Sequence, residues 1–160
     1  MTKNKVIMVY TDGACSNNPG GPGGWAATLN YDNRYDIISG FDVCTTNNRM
    51  ELTAVVEAIE YLVKRGHTRI IINSDSAYVV NGITKGWIDD WARMGWRTKT
   101  NKELANSDLW QKLYKHYSSS KLNIMFNKVR GHAGHTFNEI ADEEARKEVE
   151  HAKRILSQQF

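Results

Sequence analysis

The sequence predicts an α/β fold in which a five-stranded mixed sheet has helices on both faces. Short apolar runs rich in β-branched residues alternate with segments of helical periodicity along the 160 residues. The first three predicted strands follow one another without a helix, which is typical of an antiparallel meander. The fourth strand follows a helix and is almost wholly apolar, which is typical of a central parallel strand. The order is therefore three antiparallel strands and then parallel strands.

The composition fits one globular domain. Hydrophobic residues make up 41% of the chain and charged residues 24%, with a formal net charge of +3 and a pI near 8.8. This mildly basic balance permits a polyanionic partner without requiring one. We predict a single domain over residues 1–160, with a core at about 5–150 and a helix end and tail at 151–160.

The cysteines and the apolar runs exclude two classes of protein. Cys15 and Cys44 are too few for a disulfide framework and lack the spacing of a zinc site. No signal-peptide segment and no apolar run of membrane length follows Met1. We expect a cytoplasmic monomer with two free thiols, no membrane association and no obligate protein partner.

The first strand, residues 6–13, ends in an aspartate. Its apolar, β-branched residues suit a strand that is buried on both faces. Asp12 at its end is costly to bury unless a cation or several donors meet it. The glycine-rich residues 13–24 that follow are interpreted as a hairpin connection, with a phosphate-binding loop as the alternative.

The next elements place a glutamate at the start of a helix. Strands are predicted at residues 25–31 and 35–41, and apolar residues at helical spacing follow from Leu52 to Val63. Asn48 precedes Glu51 by three residues, which is the spacing of a capping box. Capping and chemistry therefore explain Glu51 equally well.

A second aspartate follows the fourth strand. Residues 69–73 are almost wholly apolar, and Asp75 comes directly before a predicted helix at 77 to about 83. Asp75 could simply be the N-cap of that helix. If the first and fourth strands are parallel neighbours, however, Asp12 and Asp75 share the sheet edge at which α/β folds bind ligands.

Residues 85–106 interleave tryptophans with cations. Trp87, Trp91 and Trp96 occur among five Lys and Arg residues, which suits stacking and phosphate contact. Plain packing is the alternative for the tryptophans, because a Trp is usually largely buried. A helix and a last strand at 122–129 follow.

The C-terminal part holds the remaining candidates. A glycine-flanked loop contains His132, and a helix extends from there to about residue 156. Asp142 lies beside the buried stripe of this helix, near its start. A lone loop histidine is more often inert than catalytic, and most acids in so charged a helix are solvated.

The joint placement of four acids is more informative than any one of them. Asp12, Glu51, Asp75 and Asp142 would share one side of the sheet and repel one another unless divalent cations neutralise them. Ligation by oxygen alone favours magnesium or manganese over zinc.

The chain resembles the bacterial-like type 1 ribonuclease H family over nearly its whole length. The run Thr-Thr-Asn-Asn-Arg-Met-Glu-Leu and the loop Gly-His-Ala-Gly-His are the most specific matches. The matching segments are residues 11–15, 45–52, 74–76, 131–135 and 138–142. The resemblance implies a ribonuclease H-like fold and an endonuclease that cleaves the RNA strand of RNA–DNA hybrids. It also implies attack by water, which leaves 5′-phosphate and 3′-hydroxyl ends.

The same resemblance assigns roles to residues. The catalytic residues would be the four acids and His132, a helper in proton transfer or product release. The four acids would bind up to two Mg²⁺ ions, with Mn²⁺ as an alternative. The minor-groove contacts would come from Cys15, Asn18, Asn47 and Asn48. Thr46 and Asn106 would hold a DNA phosphate, and Trp87 and Trp91 would line the DNA channel.

Four features depart from the common bacterial pattern. Cys44 replaces an arginine that often binds the DNA phosphate, and Ala77 replaces a glutamine that often contacts the substrate. Residues 92–94 replace a basic run in the protrusion formed by residues 85–106, and Gly21 is an extra residue. We expect weaker hybrid binding than in a fully basic relative. The alternative functions are a non-catalytic hybrid-binding module and a DNA-acting nuclease of the same fold.

Overall fold

The computed structural model describes residues 5–130 and 136–158. This part of the chain forms five strands and five helices. In chain order they are β1 (Val6–Cys15), β2 (Gly23–Asn30), β3 (Tyr35–Asp42), α1 (Asn47–Lys64), β4 (Arg69–Ser74), α2 (Ala77–Thr84), α3 (Trp87–Arg93), α4 (Ser107–Tyr117), β5 (Asn123–Lys128) and α5 (Thr136–Ser157). No helix in these two ranges combines the length and the apolar character needed to cross a membrane.

The strands form one mixed sheet in the order β3-β2-β1-β4-β5. β1, β2 and β3 are antiparallel neighbours, whereas β4 pairs in parallel with both β1 and β5. The predicted fold class, with its antiparallel meander followed by parallel strands, is therefore confirmed.

The two neighbours of β1 end at different points along it. The parallel pairing with β4 ends at Thr11 opposite Ser74. The antiparallel pairing with β2 continues past Asp12 to Cys15. The prediction that the strand ends at Asp12 is therefore wrong, because β2 still satisfies the backbone beyond it. The sheet forks at this residue, and the side chain of Asp12 lies at the opening.

The two faces of the sheet have different covers. α1 packs on β1 and β2 above a core of large aliphatic side chains, completed by Trp110 of α4. α5 packs on β1, β2 and β3 through small buried residues such as Ala141 and Ala145. Small side chains bring the axis of α5 close to the strands, and this sets the depth at which its acids lie.

The caps of α1 and α2 decide between the alternatives that the sequence leaves open for Glu51 and Asp75. The side chain of Thr46 accepts a hydrogen bond from the Arg49 amide at 3.1 Å and caps α1, whereas Asn48 lies inside the helix. Ser76, not Asp75, caps α2 by accepting a hydrogen bond from the amide of Val79. The capping interpretations of Glu51 and Asp75 are therefore wrong, because other residues do that work.

This assignment of the α1 cap is testable. We expect Thr46→Ala to lower the free energy of unfolding by about 1 kcal/mol, because the Arg49 amide loses its acceptor. Asn48→Ala, the matched control within the first turn, should change it by less than about 0.5 kcal/mol. Urea unfolding with a chelator measures both, and equal losses would contradict the assignment.

Candidate active site

Three carboxylates converge at the fork between β1 and β4. Asp12 extends from β1, and Asp75 follows the last residue of β4, level with it in the parallel register. Glu51 is the fifth residue of α1, which packs across β1. One oxygen atom of each of these side chains lies within 4.8 Å of the others. The sheet and α1 thus bring three distant acids into one cluster.

The fourth predicted acid comes from α5. Asp142 lies close enough to Asp12 for the two carboxyl groups to share a hydrogen bond when one of them is protonated. It also lines the same open cleft, of about 540 Å³, as the other three acids. Its other partner is the Arg146 guanidinium, one turn further along α5 at 3.1 Å. Asp142 therefore lies between the acid cluster and a cation of its own helix.

Crowding and burial make Asp12 and Glu51 resist ionisation. Burial, above all, raises the pKa of Asp12 to about 8, aided by the hydrogen bond to Asp142 and repulsion from Asp75 and Asp142. The amide of Gly13 donates to Asp12 Oδ1 at 3.0 Å and opposes this rise only in part. The pKa of Glu51 lies well above its usual value for the same reason, burial first and then its two acidic neighbours.

The donor set fits a divalent cation. Glu51 Oε1 and Asp75 Oδ1 are buried and lack a hydrogen-bond partner within the described structure. Such oxygens are rare in proteins unless something else satisfies them. A cluster of carboxylate oxygens without nitrogen or sulfur donors suits a hard cation of the Mg²⁺, Mn²⁺ or Ca²⁺ type. The cluster of Asp12, Glu51 and Asp75 can therefore hold a divalent metal ion.

Several predicted substrate contacts surround the acids. Cys15, Asn47 and Asn48 line the cleft. Asn18 lies beside them, where its side-chain oxygen accepts a hydrogen bond from the amide of Asn47 at 3.0 Å. The thiol of Cys15 donates to the carbonyl of Thr45 at 3.3 Å, so the β1–β2 turn is held against the start of α1.

The two predicted phosphate ligands are linked through an arginine. Thr46 accepts from the Arg49 amide, and the Arg49 guanidinium donates to Asn106 Oδ1 at 3.2 Å. The same guanidinium makes two hydrogen bonds to Asp108, at 3.0 and 2.7 Å. Asn106 has a positive φ of 60° immediately before α4. Thr46 and Asn106 therefore belong to one connected network.

Sequence reasoning missed Arg49 and Tyr78. The Tyr78 hydroxyl lies at the cleft and accepts hydrogen bonds from Asn106 at 3.1 Å and from the buried Trp110 indole at 2.9 Å. Arg49 stands within the motif at residues 45–52, but its partners are more than fifty residues away. Neither role leaves a local signal, because both depend on how α4 packs against α1 and α2.

The remaining predicted residues lie outside the acid cleft. Trp87 on α3 is 40% exposed, with its ring centroid 6.4 Å from that of Trp91. Trp91 packs edge-on against Trp110 at 4.9 Å. Packing against the core thus explains why a tryptophan occurs at position 91, but it explains little of the tryptophan at position 87. His132 lies outside the described residues.

The fold and the cluster define a class of α/β domain in which acids at the edge of a mixed sheet form a site for divalent metal. The family model described as RNase H matches residues 4–150 of the chain. Two relatives named Ribonuclease H are similar over nearly their whole length. The Chlorobaculum parvum protein is 46% identical over 142 residues, which is 89% of this chain and 94% of the relative. The Agrobacterium fabrum protein is 47% identical over 150 residues, which is 94% of this chain and 99% of the relative.

Solved structures agree in fold. LC9-RNase H1, a type 1 RNase H with the type 2 active-site motif, is similar with a TM-score of 0.79 and 31% identity over 93% of this chain and 74% of that chain. LC11-RNase H1 in complex with an RNA/DNA hybrid has a TM-score of 0.67, covering 91% of this chain and 98% of its own. Its 21% identity makes it a likeness of fold alone. The chain belongs to the RNase H family.

The strain in the cluster predicts that Asp12→Asn stabilises the metal-free protein. Between about pH 4 and about pH 8 the folded protein holds a proton on Asp12 that the unfolded chain has lost, so stability falls as the pH rises through this window. We expect the substitution to raise the free energy of unfolding by about 1–3 kcal/mol at about pH 8.5. The gain should nearly vanish at about pH 4.

Urea unfolding in a chelating buffer measures this effect. Asp89→Asn, which changes an exposed acid on α3, serves as the control and should leave the stability nearly unchanged. A loss of stability in Asp12→Asn, or a gain independent of pH, would show that the cluster is not strained.

Proposed function

We propose that this chain is an endoribonuclease that hydrolyses the RNA strand of RNA–DNA hybrids and leaves 5′-phosphate and 3′-hydroxyl ends. The observation that carries the proposal is the cluster of Asp12, Glu51 and Asp75 in a cleft shared with Asp142 and lined by Asn47 and Asn48. Membership in the RNase H family supports it. The RNA/DNA hybrid bound by LC11-RNase H1, which shares the fold, is the substrate class that we carry over.

The four acids would hold up to two Mg²⁺ ions, with Mn²⁺ as an alternative. Bound ions of this kind supply an activated water and stabilise the departing oxygen of the phosphodiester. The chain supplies the fixed negative charge: Asp12, Glu51 and Asp75 each bring a carboxylate oxygen within 4.8 Å of the others, and one oxygen each of Glu51 and Asp75 has no other partner among the described residues. Asp142 is tied to Arg146, which can keep its carboxylate near the cleft before metal arrives. We assign His132 to proton transfer or product release.

Recognition of RNA would fall to small polar groups beside the acids. Cys15, Asn18, Asn47 and Asn48 lie around the cleft or at its rim, where amide groups can both donate to and accept from a 2′-hydroxyl. Asn18 already uses its oxygen on the Asn47 amide, so its NH₂ group is the part available for substrate. Selection of RNA over DNA would arise here.

The DNA strand would be held further along the surface. Thr46 uses its hydroxyl oxygen as the cap acceptor, and the hydroxyl proton can still donate to a phosphate. Asn106 uses one N–H on Tyr78 and has a second available. Trp87 presents an exposed ring with Lys85 Nζ 5.6 Å from its centroid, which suits a channel for a nucleic-acid strand. Trp91, which contacts both Trp87 and the buried Trp110, would hold the Trp87 ring in position.

The other expectations are proposals of the same kind. The match of the family model to residues 4–150 supports a single ribonuclease H domain. We also propose that the chain acts in the cytoplasm, which suits its free thiols, and as a monomer without an obligate partner.

The deciding assay compares duplexes. With Mg²⁺, we expect cleavage of the RNA strand in an RNA–DNA hybrid and none of RNA–RNA or DNA–DNA duplexes of the same sequence. Asp12→Asn should lower the rate by at least ~10²-fold, because the cluster loses a metal ligand. Gel analysis of end-labelled strands gives both the rate and the chemistry of the new ends.

Glu57→Gln, which alters an exposed acid on the same helix as Glu51, is the matched control and should retain the rate. Cleavage of every duplex would favour a general nuclease. Binding without cleavage would favour a hybrid-binding module, and activity surviving Asp12→Asn would remove the acid cluster from the mechanism.

Because Cys44 is exposed, an arginine at this position should be able to reach a phosphate and strengthen binding of the RNA–DNA hybrid. Cys44→Arg should lower the Kd for the hybrid and steepen its dependence on salt by about 0.9 in log–log slope for one added phosphate contact. Fluorescence anisotropy between about 50 and about 200 mM salt, in chelator, measures both quantities. Cys44→Gln is the uncharged control, and an equal change in that variant would exclude a phosphate contact.

A further inference from the structure

Two glycines lie where the acid-bearing helices contact the sheet. Gly13 is in β1 next to Asp12, and Gly24 is in β2, paired with Ala14. Glycine within a strand usually weakens the strand unless another backbone approaches closely. Both glycines meet that condition, and the backbone that approaches each of them belongs to a helix carrying an acid of the cluster.

Gly13 is in contact with the backbone of Glu51 itself. A β-carbon at position 13 would collide with the amide nitrogen of Glu51 and lie 2.9 Å from its Cα. It would also lie 2.5 Å from the carbonyl carbon of Met50. Carbon atoms in contact prefer about 3.5–4.0 Å. A methyl group would therefore push the first turns of α1 away from β1 by about 1 Å.

Gly24 plays the corresponding part on the other face of the sheet. A β-carbon there would lie 2.5 Å from the carbonyl oxygen of Ala145 and 2.8 Å from the amide nitrogen of Val149. Ala145 is one turn after Asp142 on α5. The absence of a side chain at position 24 therefore sets the depth of Asp142 as Gly13 sets that of Glu51.

We infer that Gly13 and Gly24 are positioning residues that set the spacing of the four carboxylates and thereby tune the site to a small divalent cation. The inference rests on the proposed metal site, and it concerns the residues that set the distances between the carboxylates of that site. Mg²⁺ requires near-octahedral oxygen ligands at about 2.0–2.1 Å, whereas Ca²⁺ accepts about 2.3–2.6 Å and irregular geometry. A displacement of about 1 Å in one ligand-bearing helix should therefore weaken the binding of Mg²⁺ more than that of Ca²⁺.

The backbone amide of Gly13 contacts two acids of the cluster. Its N–H donates to Asp12 Oδ1 and also hydrogen-bonds to Glu51. One backbone group thus reaches two carboxylates, and it can do so only while α1 remains in contact with β1. If α1 moved away from β1, the carboxylates of Asp12 and Glu51 would separate, and they would no longer share the Gly13 N–H as a donor.

The test measures binding of the metal alone, by calorimetry without nucleic acid. We expect Gly13→Ala to weaken Mg²⁺ binding by at least ~10-fold and Ca²⁺ binding by no more than ~3-fold. Gly40→Ala is the matched control, because the atoms nearest to its methyl would all belong to the Trp25 ring, with Nε1 at 2.6 Å, and not to the backbone of a helix. That variant should bind both ions as the unaltered protein does. The shift of Tm on adding Mg²⁺ provides a second readout.

A double-mutant cycle separates positioning from general damage. If Gly13 acts through Glu51, the Mg²⁺ penalty of Gly13→Ala should largely disappear when Glu51→Gln is already present. A penalty that persists in that background, or equal losses for Mg²⁺ and Ca²⁺, would overturn the inference. If Gly13→Ala fails to fold by circular dichroism, Gly24→Ala in the Asp142→Asn background gives the same comparison through α5.

Binding of Mg²⁺ and Mn²⁺ to the unaltered protein distinguishes a wrong metal site from a wrong positioning role. If the unaltered protein binds neither Mg²⁺ nor Mn²⁺, the proposed metal site is wrong. If it binds them and Gly13→Ala and Gly24→Ala bind them equally well, the site stands and the positioning role is wrong.

Discussion

The repulsion among half-buried carboxylates at the fork of β1 and β4 is the constraint on which the site depends. Asp12, Glu51 and Asp75 have oxygen atoms within 4.8 Å of one another, and burial raises the pKa of Asp12 to about 8. An arrangement of this kind costs stability in the absence of a cation. The surrounding fold has to hold these acids together in spite of it, and the large aliphatic core under α1 supplies the packing that does so.

Several contacts around the cluster hold the acid-bearing helix α1 in place. Neither Glu51 nor Asp75 caps a helix; Thr46 and Ser76 take that role and leave the two carboxylates for the cleft. Arg49 connects the start of α1 to Asn106 and Asp108 at the start of α4. The helix that delivers Glu51 is therefore fixed at its own cap, through its arginine and by its contact with Gly13.

Much of the architecture could be predicted because its signals are local. Apolar runs and helical periodicity were enough for the order of strands and helices, and the acids followed from their places at the ends of those elements. The sequence could not decide whether Glu51 and Asp75 belong to helix caps, because Asn48 and Thr46, like Asp75 and Ser76, are close in sequence and similar in capping ability. Only the geometry of the first turn distinguishes them. The end of β1 was misplaced because β2, not β1, decides how far the pairing continues.

The sequence by itself determined the fold class, the family motifs and which four acids face a common edge, since residue type and spacing carry that information. Tertiary structure decided how close those acids come, which of their oxygens lack a partner, and that Arg49 and Tyr78 tie α1, α2 and α4 together. It also decided that Gly13 and Gly24 lie under the two acid-bearing helices. These properties depend on distances of a few ångströms between residues far apart in the chain, and such distances leave no local pattern in the sequence.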